Sequence, residues 1–140
     1  MINNPTYRGA VHPWHCDHMG HMNVMHYVGK FDEASWNFFT EVGLTPQRMK
    51  DSDTGVAAVQ QNISYARELF PGDTVVVNSK VLEVRERTLC FAHEMLHAET
   101  GELCATSEYV VVHMDHETRR AAPIPDDIRA ELLAALEAGR

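Results

Sequence analysis

Residues 23–42 run NVMHYVGKFDEASWNFFTEV. Val24, Tyr27, Val28, Phe31, Ala34, Phe38 and Val42 recur at steps of three and four, the period of one helix face. Met25, Trp36 and Phe39 carry apolar character further round the cylinder, and a helix apolar beyond one stripe is expected to be covered on several sides. Asn23 offers a side-chain oxygen as N-cap. Gly43, with Pro46 beyond it, supplies the stop.

Outward from this helix the texture is that of strands. Upstream, Tyr7 to His15 has strand content broken by Pro13, which suits a strand end or edge. The stretch HCDHMGHMN, residues 15–23, is polar, contains Gly20 and reads as a loop. Downstream, Val56–Arg67 places Val59, Ile63 and Tyr65 on one alternating face together with Gln61. Pro71-Gly72-Asp73 signals a turn. Thr74–Val84, Thr88–Ala98 and Leu103–Asp115 follow as strands, separated by Arg85-Glu86-Arg87 and by Glu99-Thr100-Gly101-Glu102. Pro123 and Pro125 introduce a terminal helix, Asp126–Glu137, with Ile128, Leu132, Leu133 and Leu136 on its packing side. Sequential hairpins make an antiparallel sheet, and one long apolar helix needs a sheet to cover it. The expected class is α+β: a curved antiparallel sheet wrapped around one long central helix, plus a short C-terminal helix. A two-layer α+β sandwich of another topology is the alternative.

The chain of 140 residues suits a single domain over 1–140, long enough to bury about two-thirds of its unfolded surface without a disulfide or metal. Its net charge of −8 argues against a general nucleic-acid or membrane-surface binder, because both partners are anionic. Cys16, Cys90 and Cys104 are odd in number and scattered, which fits free thiols in a reducing cytoplasm. The opening MINNPTYRG has neither the basic nor the apolar region of a secretory signal, and no apolar run approaches the ~20 residues of a membrane span.

The chemistry is expected at the loop that feeds the buried helix. Asp17 lies six residues before Asn23, so the loop can fold back and set a carboxylate beside the helix start. That helix end presents unpaired N–H groups and about half a positive charge. Donors that hold a developing oxyanion, beside a carboxylate that attacks or activates water, suit acyl transfer. A structural cap is the other reading of the same Asp.

The stretch WHCDHMGHMNVMHYVGKFDEASWNFF, residues 14–39, resembles the N-terminal signature of the 4-hydroxybenzoyl-CoA thioesterase-like acyl-CoA thioesterases. That signature, D-x-x-G-H-x-N-x-x-x-Y, falls here on Asp17, Gly20, His21, Asn23 and Tyr27. SYARELFPGDTVVV, residues 64–77, is similar to the family's second strand and turn, and RRAAPIPDDIRAEL, residues 119–132, to its usual ending. Many members carry an acidic residue two places before the matching Asp, where this chain has His15, and that departure bears on the substrate class. The resemblance implies a hotdog fold and hydrolysis of an acyl-CoA thioester to a free acid and CoA. Asp17 would act as general base or nucleophile, and the Val24 backbone N–H as oxyanion donor. Gly20, His21, Asn23 and Tyr27 would shape the substrate site: Gly20 through a positive φ, His21 by orienting the loop, Asn23 by capping the helix or fixing the loop, Tyr27 in the pocket or the core. It further implies active sites between subunits of a homodimer or homotetramer. No metal or redox cofactor is required, and coenzyme A enters only as part of the substrate.

Other readings share these residues. His12, His15, His18 and His21 are spaced by three, which suggests metal ligation, but Pro13 and Gly20 oppose the helix that would bring them together. Cys16 beside Asp17 invites a nucleophile reading, against which a buried structural thiol is the expectation. Asp32 and Glu33 are expected to face solvent, although hotdog dehydratases use a carboxylate on this helix, so Glu33 keeps a hydratase or dehydratase open as the alternative, without the pocket His that those enzymes pair with it. A non-catalytic acyl-CoA or metal-binding module is a third class. Arg67, Lys80, Arg85, Arg87, Arg119 and Arg120 are the possible contacts to phosphate. His93, His97, His113 and His116 are expected at the surface or satisfied in the core, and Trp14, Trp36, Phe38, Phe39 and Tyr65 in the core.

Overall fold

The computed structural model describes residues 4–139; Met1–Asn3 and Arg140, which the single-domain expectation includes, lie outside the described residues. The elements are β1 (Tyr7–Ala10), a 3-10 turn (Pro13–His15), α1 (Val24–Glu41), α2 (Pro46–Ser52), β2 (Thr54–Tyr65), β3 (Thr74–Val84), β4 (Thr88–His97), β5 (Leu103–Asp115), β6 (Arg120–Ala121) and α3 (Asp126–Ala138). The strands form one antiparallel sheet in the order β1-β3-β4-β5-β2, with β6 paired to the end of β5. The sheet curls around α1 in the hotdog arrangement.

Two connections are hairpins as expected, β3–β4 and β4–β5. The turn at Pro71-Gly72-Asp73 is not one. It carries the chain from β2 on one edge to β3 near the other, so that β2 pairs with β5 and β1 with β3. Gly72 takes φ +93, which permits that tight reversal. α2 was not expected. Thr45 caps it by accepting from the Arg48 N–H, Pro46 occupies its first turn, and Met49 is its one buried residue.

Phe31, Ala34 and Phe38 on α1 are fully buried against the sheet. Phe38 stacks on Phe91 at 4.8 Å, and Phe91 in turn on Tyr109 at 4.9 Å. Burying each such Phe contributes about 1.5–3 kcal/mol. α3 closes the far side with Ile128, Leu132 and Ala135; Leu133, expected to pack, is exposed. Arg48 of α2 grips Asp127 of α3 through two hydrogen bonds of 2.8 and 2.9 Å, and these hold the Asp127 carboxyl down to about 2.

The expectation that α1 is covered on several sides is corrected. Val24, Met25, Val28 and Trp36 stay exposed along the flank that the sheet does not reach. Trp14 is 72% exposed, and Trp36 and Tyr65 are also at the surface, so only Phe38 and Phe39 of the expected aromatic core are buried. Val59, placed with Ile63 and Tyr65 on one alternating face, is 62% exposed, and a β-bulge between Ala58 and Gln60 shifts the register there. No helix among the described residues is long and apolar enough to cross a membrane.

Candidate active site

Residues 15–23 fold back on themselves before α1 begins. The Asp17 N–H donates to the His21 carbonyl at 3.2 Å, the Gly20 N–H to the Asp17 carbonyl at 3.0 Å, and the Asn23 N–H to the His15 carbonyl at 2.9 Å. Gly20 takes φ +87, the left-handed backbone expected of it, and nothing crowds its Cα. The loop therefore brings Asp17 to the entrance of α1.

There the Asp17 carboxylate accepts two hydrogen bonds. Asn23 Nδ2 donates to Oδ2 at 2.8 Å and the Met19 N–H to Oδ1 at 2.9 Å. The Asn23 bond first, and the Met19 bond second, hold the carboxyl below the usual carboxylate range, with smaller help from His21 and His18. Asp17 is thus an ionised carboxylate at neutral pH. Asn23 is also the N-cap of α1, its Oδ1 accepting from the Met25 N–H at 2.9 Å. The His26 N–H returns to the Asn23 carbonyl. Among the described residues the Val24 N–H, the first of the helix, makes no hydrogen bond. It remains a donor at the positive end of α1.

Beside it opens a cleft of about 250 Å³, lined by His21, Val24, Tyr27, Tyr65, Arg67 and Glu68 among others. Its lining includes neither Asp17 nor Gly20. Tyr27 is buried, its hydroxyl donates to the Arg67 carbonyl at 3.1 Å, and Tyr65 meets its ring edge-on at 5.1 Å. Burial pushes the Tyr27 phenol up to about 12. His21 Nδ1 lies 3.4 Å from the Met22 carbonyl and Nε2 3.6 Å from the Glu68 carboxylate. Glu68 was not foreseen; its only signal is its place in the loop after β2.

The remaining candidates separate. Cys16 is half-buried rather than buried, its Sγ 3.8 Å from the His12 carbonyl. Asp32 and Glu33 face solvent. Arg85 is held by Glu83 at 2.7 Å, Arg67 lies 3.2 Å from Glu102 and Arg87 3.9 Å from Glu86. His93, His97 and His113 are buried, and His116 is exposed. His93 sits between Ser35 Oγ at 2.9 Å and Ser79 Oγ at 2.6 Å, and burial holds its imidazole down to about 4. No group of three or more His, Cys, Asp or Glu side chains close enough to share an ion occurs among the described residues.

A sequence profile described as the thioesterase-like superfamily matches residues 11–132, from the loop before Asp17 into α3. The chain belongs to the thioesterase-like superfamily. Among curated relatives it is 25% identical over 135 residues to a betainyl-CoA thioesterase of Pseudomonas aeruginosa, covering 96% of this chain and 85% of the relative. It is 24% identical over 122 residues to an L-carnitine dehydrogenase/betainyl-CoA thioesterase of Rhizobium, spanning 87% of this chain and only 24% of that longer protein. Among solved structures, a Staphylococcus aureus protein determined in complex with CoA superposes with a TM-score of 0.90 at 20% identity, covering 98% of this chain and 87% of that one. A 1,4-dihydroxy-2-naphthoyl-CoA thioesterase from Synechocystis superposes with a TM-score of 0.81 at 20% identity, covering 91% and 93%. At these identities the superpositions establish the hotdog fold of this superfamily member.

Proposed function

We propose that the protein hydrolyses an acyl-CoA thioester to a free carboxylic acid and CoA. The observation that carries this reading is the ionised Asp17 carboxylate fastened by Asn23 to the entrance of α1, beside a Val24 N–H without a partner among the described residues. Membership of the thioesterase-like superfamily and the likeness to betainyl-CoA and 1,4-dihydroxy-2-naphthoyl-CoA thioesterases support the reaction class.

In this mechanism the thioester carbonyl oxygen accepts from the Val24 N–H, which strengthens as negative charge develops on that oxygen. In one route Asp17 takes a proton from water, the hydroxide adds to the carbonyl carbon, and the C–S bond breaks to release the CoA thiolate. In the other, an Asp17 oxygen attacks the carbonyl and expels the thiolate, and water then hydrolyses the mixed anhydride. Tyr27 and Tyr65 form the wall of the adjoining cleft, and Asn23 and Gly20 keep the loop in place. No metal or redox cofactor is needed, so turnover is expected to survive exhaustive treatment with EDTA.

A homo-oligomer is part of the proposal. β2 is twelve residues long, among the described residues pairs only with β5, and forms one edge of the sheet. Exposed edges of that length invite pairing with another strand. Val59 and Tyr65 on β2 and Val24, Val28 and Trp36 on α1 add exposed apolar surface. A second copy set along β2 borders the cleft at Tyr65 and Arg67 and supplies part of the acyl pocket.

The test is a panel of acyl-CoA substrates with detection of free thiol. Thiol release from at least one member supports the reading. A changed double bond without thiol release assigns a hydratase or dehydratase, and binding without turnover assigns an acyl-CoA-binding module.

A further inference from the structure

The cleft between β1, the 3-10 turn and α1 takes no part in the hydrolytic reading. It has a volume of about 280 Å³ and is lined by Tyr7, His12, His15, His26, Lys30 and Glu33, with Gly9 in its wall. Lys30 is 5% exposed. Its Nζ donates to the Tyr7 hydroxyl at 3.1 Å and to the Ala10 carbonyl at 3.2 Å, both neutral acceptors. An ammonium has three protons, so one remains. None of the ion pairs among the described residues involves Lys30. A buried cation with only neutral partners is costly, and an anion relieves that cost.

Three imidazoles stand beside it. The His15 ring lies 4.7 Å from that of His26 and 5.3 Å from that of His12. His15 Nδ1 accepts from the His12 N–H at 2.9 Å, which leaves Nε2–H as its donor. Burial first, then Lys30, His26 and His12, hold His15 below the usual imidazole range. Lys30 is the fixed positive charge of the cluster and each imidazole adds one when it takes a proton, so an anion among these groups converts repulsion into attraction. Tyr7 from β1, His12 and His15 from the 3-10 turn, and His26, Lys30 and Glu33 from α1 are the titratable groups that face the space. Glu33 is the one carboxylate among them. It is exposed, and it makes no ion pair with Lys30 or the three imidazoles.

The wall also has a built element. The Tyr7 ring lies over Gly9, and a Cβ at position 9 would collide with the Tyr7 hydroxyl. Gly9 thus lets the phenol rest against Lys30 and closes that side of the cleft.

We propose that this cleft is a binding site for a phosphate-class anion, held by Lys30 with His15 and His26 as further donors, and that binding strengthens as pH falls. The sign follows from charge: an imidazole that carries a proton presents both a further donor and a positive charge to the anion, so affinity rises as pH falls. The Asn23 N–H bond to the His15 carbonyl joins the site to the segment that carries Asp17. Two sources present this chemistry, free phosphate and the phosphates of a CoA nucleotide. The proposal stands whether or not the protein hydrolyses a thioester.

The test is calorimetric titration of the full chain near pH 6 with inorganic sulfate, a phosphate-class anion whose charge is constant from about pH 6 to 8, followed in parallel by the histidine ring signals in NMR. One saturable site is expected, with His15 and His26 shifted and binding about tenfold weaker at pH 8. Lys30→Met removes the charge; His26→Gln, at a half-exposed position, weakens binding several-fold while leaving the fold intact. Absence of saturable binding, or equal affinity at both pH values and in His26→Gln, overturns the proposal. Competition then names the source. Displacement by CoA but not by 3′-dephospho-CoA assigns the 3′-phosphate, displacement by both assigns the diphosphate, and displacement by neither assigns a free anion.

Discussion

Asn23 holds Asp17 with one end of its amide and caps α1 with the other: Nδ2 donates to Asp17 Oδ2 at 2.8 Å while Oδ1 accepts from the Met25 N–H at 2.9 Å. One side chain therefore couples the position of the carboxylate to the position of the helix start. A shift of either displaces both, and the Val24 amide lies between them in sequence.

Asp17→Ala is expected to lower kcat by ~10²-fold or more with an unchanged circular dichroism spectrum, since it removes the base or nucleophile and no packed side chain. Asp17→Asn keeps an acceptor for the Met19 N–H and is expected to be equally impaired. Near-normal turnover by either folded variant removes Asp17 from the mechanism.

Asn23→Asp separates the two duties of that residue. Its carboxylate still caps α1 but stands beside that of Asp17, so the loss of stability at neutral pH comes from like-charge repulsion rather than from the cap, while Asn23→Ala costs about 1 kcal/mol of cap. In both, Asp17 loses the hydrogen bond that most depresses its pKa. The acid limb of the kcat/KM profile is expected to move to higher pH, and further for Asn23→Asp, where a like charge adds to the effect. An acid limb that stays in place argues that Asp17 does not govern it.

His93 gives a pH dependence of stability. Its folded imidazole titrates at about 4 against an unfolded value of 6.5. The unfolded chain therefore takes up the proton first. The contribution is complete above pH 6.5 and is lost as pH falls toward 4, about 3 kcal/mol in all. Urea unfolding at several pH values in that window measures the slope. His93→Gln is expected to be less stable at neutral pH and to flatten it; an unchanged slope excludes His93 as the source.

Sedimentation equilibrium at micromolar concentration is expected to return at least a dimer of the 15.8 kDa chain. Val59→Lys places a charge on the open β2 edge and is expected to shift the equilibrium toward monomer and lower activity together. A well-folded monomeric wild type that turns over substrate overturns both the assembly and the shared site.

α1 and its caps were legible because a step of three and four residues over eighteen positions is written in side chains alone. The strands were legible because Gly, Pro and charged residues bound them. α2 was not, since seven residues with a single buried Met49 carry no period. Val59 is exposed at a β-bulge, which alternation cannot encode. Trp14, Trp36 and Tyr65 have core composition, yet whether they are covered depends on what one chain can reach. At the site, Asp17 and Asn23 lie within one motif and could be paired from it. The cleft of Lys30, His15 and His26 draws on a strand, a turn and a helix, and only folding brings the three together.

The pairing of β2 with β5 has a bearing on how the molecule assembles. Thr54 lies opposite Asp115 and Tyr65 opposite Ala105, so the strand that ends at the Tyr27 cleft finds its neighbour only 40 to 61 residues further along the chain. The β3–β4–β5 meander closes through short loops at little entropic cost, whereas β2 must wait for β5 and then close a loop containing both hairpins. On the ribosome, β2 emerges early and stays without its partner until most of the sheet has been made. Its apolar Val56, Val59 and Ile63 are then an aggregation hazard until β5 arrives. The wall of the proposed active site is, in this order of events, formed only after β3, β4 and β5 have been made.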